Sequence, residues 1–225
     1  GQELIEFADM ILSAHDAAVQ RFQGSALSGL IRLGTTDDVA ADRAVGIAGR
    51  FRWAHPGIRL QVRVSSSLKV AEWVDEGAID LAVMPVEAAN VRQNDFTLWS
   101  EPLCFVQAKE SDFSIQDALP LVSFGSRCFY GGIAGALLED AGIAYDNVLE
   151  SASIAGVCAA VSAGFGVALM NASFMSDDQC EWSGASELPA PPDIHYVLRA
   201  ARLPLTAAQE SLVAELRGSV PLTAE

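Results

Sequence analysis

The sequence predicts an α/β protein with two Rossmann-like subdomains that are joined by hinge crossings and preceded by an amphipathic helix. Strand-like and helix-like segments alternate through the first third of the chain, which is typical of βαβ units in a parallel sheet. The alternation stops at a polar segment and an extended crossing, and then it resumes. Two such subdomains are expected to enclose a cleft near the carboxyl ends of their strands.

The first element is a helix in the stretch QELIEFADMILSAHDAAVQRF. Its mostly apolar side chains follow the spacing of the a and d positions in a coiled coil. Three heptads are too short to be stable alone, so we expect the helix to pack against its own domain or against a second copy. The residues of this seam are Leu4, Ala8, Ile11, His15, Ala18 and Phe22.

Two βαβ crossovers are predicted after this helix. The first runs from a strand at 30–34 through a capped helix that ends before Pro56. The second runs from an alternating strand at 58–64, through a helix that ends at Gly77, to a third strand at 78–84. Consecutive crossovers of this kind require a parallel sheet.

The second half repeats this alternation after an extended segment that is interrupted at Pro102. Strand, helix, strand, helix and strand are expected in LPLVSFGS, CFYGGIAGALLEDAG, YDNVLESA, SIAGVCAAVSAG and FGVALM. A returning strand in APPDIHYVLRAARLP and a final helix capped by Thr206 follow. The predicted division is residues 1–24 for the first helix, 25–101 with 193–225 for subdomain I, and 102–192 for subdomain II.

Composition argues against several functions. The 225 residues include 14 lysines plus arginines and 29 aspartates plus glutamates, and the net charge of −15 repels a nucleic-acid backbone. No run approaches the ~20 apolar residues of a membrane span, and the start lacks the pattern of a secretion signal. We therefore expect a cytoplasmic protein. The four cysteines are widely separated and lack the spacing of a metal site, which favours reduced thiols and no bound metal.

Motifs for cofactor binding and catalysis are not found. GFGVAL enters a predicted strand instead of leaving one, and GSRCFYGGIAG lacks the Gly-Lys-Ser/Thr ending of a phosphate loop. The three histidines are scattered, and no serine, histidine and acid combination occurs. We therefore expect no cofactor and no enzyme. A ligand sensor and a solute receptor for transport are the functions that remain.

Three motifs in this order and spacing resemble one family. SGLIRLGTTDD, HPGIRLQVRVSSSLKVAEWVDEGAIDLAVM and VSAGFGVALM are similar to the effector-binding domain of LysR-type transcriptional regulators. The resemblance covers essentially the whole chain and implies a fold like that of type II periplasmic binding proteins. It also implies that the first helix is a linker that pairs with a second protomer, in a homo-oligomeric dimer or tetramer. A DNA-binding winged helix-turn-helix is then expected before Gly1, and DNA is contacted only through it.

The candidate effector site lies in the turns after the strands, where helix amino termini present free N–H groups to the cleft. By resemblance, the first two turns hold a small-molecule effector. Asp38 and Ser67 can instead cap their own helices. Arg127 can bind an acidic effector, or it can neutralise Asp37 or Asp38 across the cleft. The candidate residues are Thr35, Thr36, Asp37, Asp38, Ser65, Ser66, Ser67, Met84, Ser126, Arg127 and Ser153.

Two features of this site affect which ligand is expected and what shape the loop after the third motif should have. Asp37 and Asp38 oppose an anion, so a neutral, zwitterionic or cationic effector is compatible with the turn. Asn171 stands where the family commonly has a proline, directly after the last of the three motifs. The loop that follows is therefore expected to have a different shape.

Overall fold

The computed structural model describes residues 27–39, 44–115, 117–125 and 128–218. The predicted seam from Leu4 to Phe22 lies outside these residues, and so do Ser126 and Arg127. The predictions about them stay predictions. No helix in the part of the chain that the structure describes is long and apolar enough to cross a membrane.

Ten strands and five helices of nine or more residues form the described structure. The strands are β1 (Gly29–Thr35), β2 (Ile58–Val64), β3 (Leu81–Glu87), β4 (Phe96–Glu101), β5 (Leu103–Ala108), β6 (Leu119–Ser123), β7 (Tyr145–Glu150), β8 (Ala168–Asn171), β9 (Gln179–Glu181) and β10 (Ile194–Ala200). The helices are α1 (Val45–Ala54), α2 (Ser67–Asp75), α3 (Phe129–Asp140), α4 (Ile154–Ser162) and α5 (Ala207–Gly218). Shorter helical turns cover Asp37–Val39, Ala88–Asn90, Ala172–Phe174 and Ser183–Glu187.

Lobe I is the five-stranded sheet β2-β1-β3-β10-β4 with helices α1, α2 and α5. Strand β1 is parallel to β2 and β3, which confirms the two predicted crossovers. Strand β10 returns antiparallel to β3 and β4. The third strand begins at Leu81 and not at Ala78, because the N–H groups of Ala78 and Ile79 donate to the carbonyl of Trp73 and close helix α2.

Lobe II contains strands β5 to β9 and helices α3 and α4. Strand β5 pairs antiparallel with β8 and β9, and β6 pairs in parallel with β7. A bridge between Leu121 and Val167 joins these two groups just before β8. Across this bridge the strand order is β7-β6-β8-β5-β9. Position by position, it corresponds to the order β2-β1-β3-β10-β4 of lobe I. The two lobes therefore present equivalent strand-to-helix turns.

The chain passes between the lobes twice, at Pro102 between β4 and β5 and again before β10. One continuous cluster of buried apolar residues extends through both lobes and includes Leu33 of β1 and Leu121 of β6. The lobes are therefore joined by apolar packing as well as by the two crossings.

A capping box closes the amino end of helix α5, as the sequence predicts. The hydroxyl of Thr206 accepts the N–H of Gln209 at 3.3 Å, and the Gln209 side-chain oxygen accepts the N–H of Thr206 at 2.9 Å. We expect Thr206→Ala to lower the free energy of unfolding by about 1 kcal/mol in urea denaturation. Thr206→Ser keeps the hydroxyl and is expected to match the parent. Equal losses in both variants would argue against the cap.

Candidate functional site

The first two predicted turns lie side by side at one edge of lobe I. Thr35 ends strand β1, and Ser65 and Ser66 connect β2 to α2. Because β1 and β2 are adjacent and parallel, their carboxyl ends meet at the same edge of the sheet. The N–H of Ser65 donates to the carbonyl of Thr35 at 3.1 Å, so the two turns are directly hydrogen-bonded.

Three hydroxyl groups at these turns are buried without a hydrogen-bond partner among the described residues. They belong to Thr35, Thr36 and Ser67, whose exposed fractions are 0%, 5% and 7%. A buried hydroxyl without a partner costs on the order of 1–3 kcal/mol. Native proteins retain few such groups, and each one needs a physical explanation such as an additional bound group.

Local capping does not explain the hydroxyl of Ser67. Its oxygen has no partner in the described part of the chain, although Ser67 is the first residue of helix α2. Ser66 occupies the N-cap position, and its side chain makes no capping hydrogen bond. The serines of this turn therefore do not perform the helix-capping role that accounts for most such residues.

Asp37 and Asp38 both bond to groups that are distant in the sequence. Asp37 Oδ2 accepts the N–H of Ile154 at 3.2 Å, and Ile154 is the first residue of helix α4 in lobe II. Asp38 Oδ2 accepts the hydroxyl of Tyr196 at 2.6 Å, and Tyr196 lies on β10. The first turn of lobe I therefore contacts a strand-to-helix turn of lobe II.

Ser153 lies at the point in lobe II that Asp37 reaches. Its N–H donates to Ser151 Oγ at 3.2 Å, and the Ser151 hydroxyl donates to the Ser153 carbonyl at the same distance. Glycine is favoured at position 156, because an added Cβ would clash with Ser151 Oγ and displace it from this turn. Ser153 thus contributes its backbone to a tight turn, while its side chain makes no capping bond to α4.

Asn171 connects the two lobes through a buried hydrogen-bond network. Its side-chain N–H₂ donates to the hydroxyl of Tyr196 at 2.6 Å and to Glu101 at 2.9 Å. Its side-chain oxygen accepts the hydroxyl of Tyr130, on α3, at 2.9 Å. Since Tyr196 donates onward to Asp38, hydrogen bonds run without interruption from the first turn of lobe I to the core of lobe II.

Sequence reasoning missed the roles of Tyr130, Tyr196 and Glu101, because nothing in their local pattern distinguishes them from ordinary strand and helix residues. The departure from the family at Asn171 was the one available signal. The backbone there has φ −62° and ψ 140°, and this φ lies within the range of a proline ring. The backbone at this position would therefore accept proline, but proline could not make the side-chain hydrogen bonds of Asn171.

Burial and the charge of Asp38 keep the phenols of this network protonated. Burial is the largest cause that raises the pKa of Tyr130 well above its ordinary value, and the Asp38 carboxylate raises it further. The pKa of Tyr196 is raised by burial, by Tyr130 and by Asp38. Burial, with a contribution from Asp38, also raises the pKa of the Cys128 thiol. Both phenols therefore act as hydrogen-bond donors at neutral pH.

Met84 belongs to the core, which corrects its assignment to the effector site. It lies within β3 and is 0% exposed. It belongs to a buried cluster with Val70 and Val74 of helix α2 and Val197 of β10. The sequence placed it at the end of its strand, but β3 continues to Glu87, so Met84 packs inside the sheet.

Three of the four cysteines, Cys104, Cys128 and Cys158, lack the low pKa of a reactive thiol. All four are free and partly buried. Burial raises the pKa of Cys104 to about 11 and also raises the pKa of Cys158, so both remain protonated at neutral pH. Among the described residues, no cluster of histidine, cysteine and acidic side chains could hold a metal ion.

Two α/β lobes with the same strand order, two extended crossings and polar turns that meet between the lobes define a ligand-binding domain like that of type II periplasmic binding proteins. The LysR substrate binding domain family matches residues 24–220, and the chain belongs to this family of transcriptional regulators. This membership confirms the resemblance predicted from the sequence. The family and the relatives are transcriptional regulators, which agrees with the expectation that the domain is not an enzyme.

Individual relatives agree with this assignment. The HTH-type transcriptional regulator DgdR of Burkholderia cepacia is 26% identical over 224 residues, which cover 99% of this chain and 75% of DgdR. The regulator YofA of Bacillus subtilis is 28% identical over 173 residues, which cover 76% of this chain and 60% of YofA. The CcmR regulatory domain of Synechocystis PCC6803, solved in complex with 2-PG, has a TM-score of 0.68 at 13% identity. That match covers 87% of this chain and 99% of the CcmR chain, and it shows a shared fold.

Proposed function

We propose that this domain senses a small polar effector between its two lobes and oligomerises within a LysR-type transcriptional regulator. The proposal is carried by the buried hydroxyls of Thr36 and Ser67, for which the described part of the chain offers no hydrogen-bond partner. They lie on neighbouring turns at the carboxyl ends of β1 and β2, the edge at which open α/β sheets bind ligands. An effector that hydrogen-bonds to these hydroxyls would remove the free-energy cost of leaving them unpaired.

Effector binding at this edge can be transmitted through the contacts between the lobes. Asp37 and Asp38 follow Thr36 directly, and they bond to Ile154 of lobe II and to Tyr196 of the Asn171 network. A ligand with different affinities for two arrangements of the lobes would shift the equilibrium between them. The moving units in this proposal are residues 25–101 with 193–225 and residues 102–192.

The exposed edge of lobe I supports the proposed oligomer. Strand β2 is the first strand of its sheet, and its outer positions Val62 and Val64 are 37% and 47% exposed. An open strand edge with apolar side chains favours association with another chain. We propose a homo-oligomer, either a dimer or a tetramer. The acidic net charge is compatible with DNA contact through another part of the regulator, which would act in the cytoplasm.

A thermal-shift screen tests the proposed site. Amino acids, aromatic and aliphatic carboxylates, sugars and polyamines would be compared on the parent, Thr36→Val and Ser67→Ala. A ligand at 100 times its Kd stabilises the folded state by about 2.7 kcal/mol, which raises the Tm of the parent. We expect both variants to lose most of this gain.

Ser186→Ala is the matched control, since Ser186 is an exposed serine that donates to the carbonyl of Ser183 in lobe II. It should respond to the ligand as the parent does. The site assignment would be wrong if Thr36→Val and Ser67→Ala kept the full shift.

A further inference from the structure

The hydrogen bond between Asp37 of lobe I and the N–H of Ile154 of lobe II affects the chemical class of effector that this domain can accept. We propose that Asp37 is a specificity-determining residue that excludes effector carboxylates from the amino end of helix α4, so that the effector presents an amine to the turn at Thr36–Asp38. This inference rests on the proposed effector-sensing function and adds the chemical class of the ligand. It follows from three observations on this contact and on the residues around it.

The first observation is that the anion position of lobe II is already occupied by the protein. The amino end of a helix attracts carboxylates through its free N–H groups and partial positive charge. At α4 the N–H of Ile154 is bonded to Asp37 Oδ2 at 3.2 Å, and the preceding N–H, that of Ser153, is bonded to Ser151 Oγ. An effector carboxylate would have to displace the carboxylate of Asp37 to bind the N–H of Ile154, the first residue of this helix.

The second observation is the charge that surrounds the occupied position. Asp38 is adjacent to Asp37, and Glu101 lies at the other end of the bonds through Tyr196 and Asn171. The hydrogen-bond donors that these three carboxylates meet in the described residues are neutral groups: a backbone N–H, a phenol, an amide, an indole and a hydroxyl. Their negative charge favours a cation and disfavours a second anion.

The third observation is that the hydroxyl of Thr36, directly before Asp37, and that of Ser67, on the neighbouring turn, have no hydrogen-bond partner among the described residues. The oxygens of Thr36 and Ser67 are buried and can accept hydrogen bonds. An ammonium group has three N–H donors and no acceptor. It can therefore satisfy a hydroxyl oxygen and a carboxylate of the same turn at once, whereas a carboxylate would compete with Asp37 for donors. Asp37 is exposed, so a ligand that enters the cleft meets its charge directly.

The test uses two probes of equal carbon length and opposite charge, succinate and 1,4-diaminobutane, titrated at constant ionic strength. Asp37→Ala removes the internal carboxylate from Ile154, and we expect its affinity for succinate to exceed that of the parent about tenfold. Its affinity for 1,4-diaminobutane should fall. Asp146→Ala removes an exposed aspartate of β7 and is expected to behave as the parent.

Asp37→Asn serves as the second variant if the alanine variant does not fold, because it removes the charge with little change in size. Equal succinate affinity in the parent and in both Asp37 variants, including no binding to any of them, would overturn the inference. So would succinate binding to the parent that Arg127→Ala abolishes, because the site would then accept anions. The comparison does not require the natural effector, so its failure can be told apart from failure of the Thr36 and Ser67 screen.

Discussion

Asp95→Ala is expected to lower the free energy of unfolding by about 3–5 kcal/mol, as removal of one partner of a buried ion pair usually does. Asp95 and Arg199 are joined by two hydrogen bonds of 2.8 and 2.6 Å, and their side chains are 1% and 7% exposed. Without the carboxylate, the Arg199 guanidinium stays buried without its hydrogen-bonded counter-ion, and only the weaker electrostatic attraction of Asp75 is left. Arg199 also donates to the carbonyl of Asn90, so the loop after β3 is expected to loosen. Urea denaturation followed by tryptophan fluorescence measures the loss.

The exposed pair of Asp75 and Arg92 is a matched control. It has the same two-bond geometry, with distances of 2.5 and 2.8 Å, but its side chains are 48% and 52% exposed. The hydrogen bond from Arg92 lowers the pKa of Asp75, but water screens much of this attraction. We expect Asp75→Ala to cost less than about 1 kcal/mol. Similar losses for Asp75→Ala and Asp95→Ala would show that burial does not set the strength of these pairs.

Asn171→Ala is expected to lower the free energy of unfolding by about 2–3 kcal/mol, because it removes three hydrogen bonds from a buried network. The Tyr130 hydroxyl loses the oxygen to which it donates. Glu101 and Tyr196 lose the donor that they share, although each keeps another partner, Ser173 and Asp38 respectively. The bonds between Asn171 and these two residues also join the lobes, so hydrogen exchange of β8 and β10 amides is expected to accelerate.

Asn147→Ala controls for the general effect of replacing an asparagine at a strand. Asn147 is exposed on β7, and its substitution is expected to change stability by no more than about 0.5 kcal/mol. Chemical denaturation of the two variants under the same conditions gives the comparison. A loss below about 0.5 kcal/mol in Asn171→Ala would mean that the network contributes nothing beyond ordinary surface contacts.

Most of the secondary structure could be predicted from the sequence, because its signals are local. The alternation of apolar and polar residues in 58–64 predicted strand β2. Gly77, with its φ of +69°, marked the end of the α2 segment, and Thr206 marked the start of α5. Strand β9 and the turn at Ser183–Glu187 were not predicted. A strand of three residues is too short to display a period, and its place is set by pairing with β5.

The candidate site was predictable in its position but not in its contacts. Thr36 and Ser67 could be placed at neighbouring turns, because parallel strands with crossover helices bring their carboxyl ends to one edge. The partners of Asp37 and Asp38 could not be deduced, since they lie 117 and 158 residues away in the chain. Met84 was misplaced because the end of β3 depends on its pairing with β10.

The sequence by itself therefore determined the order of strands and helices, the two-lobed fold and the family, since periodicity, caps and short motifs act over a few residues. Only the tertiary structure decided that Asp37 occupies the amino end of α4, that Asn171 joins the lobes and that Met84 is core. These contacts depend on how the two lobes pack against each other, although the elements of each lobe could be predicted separately. The packing arises from the summed burial of many side chains and has no signature in any single stretch of sequence.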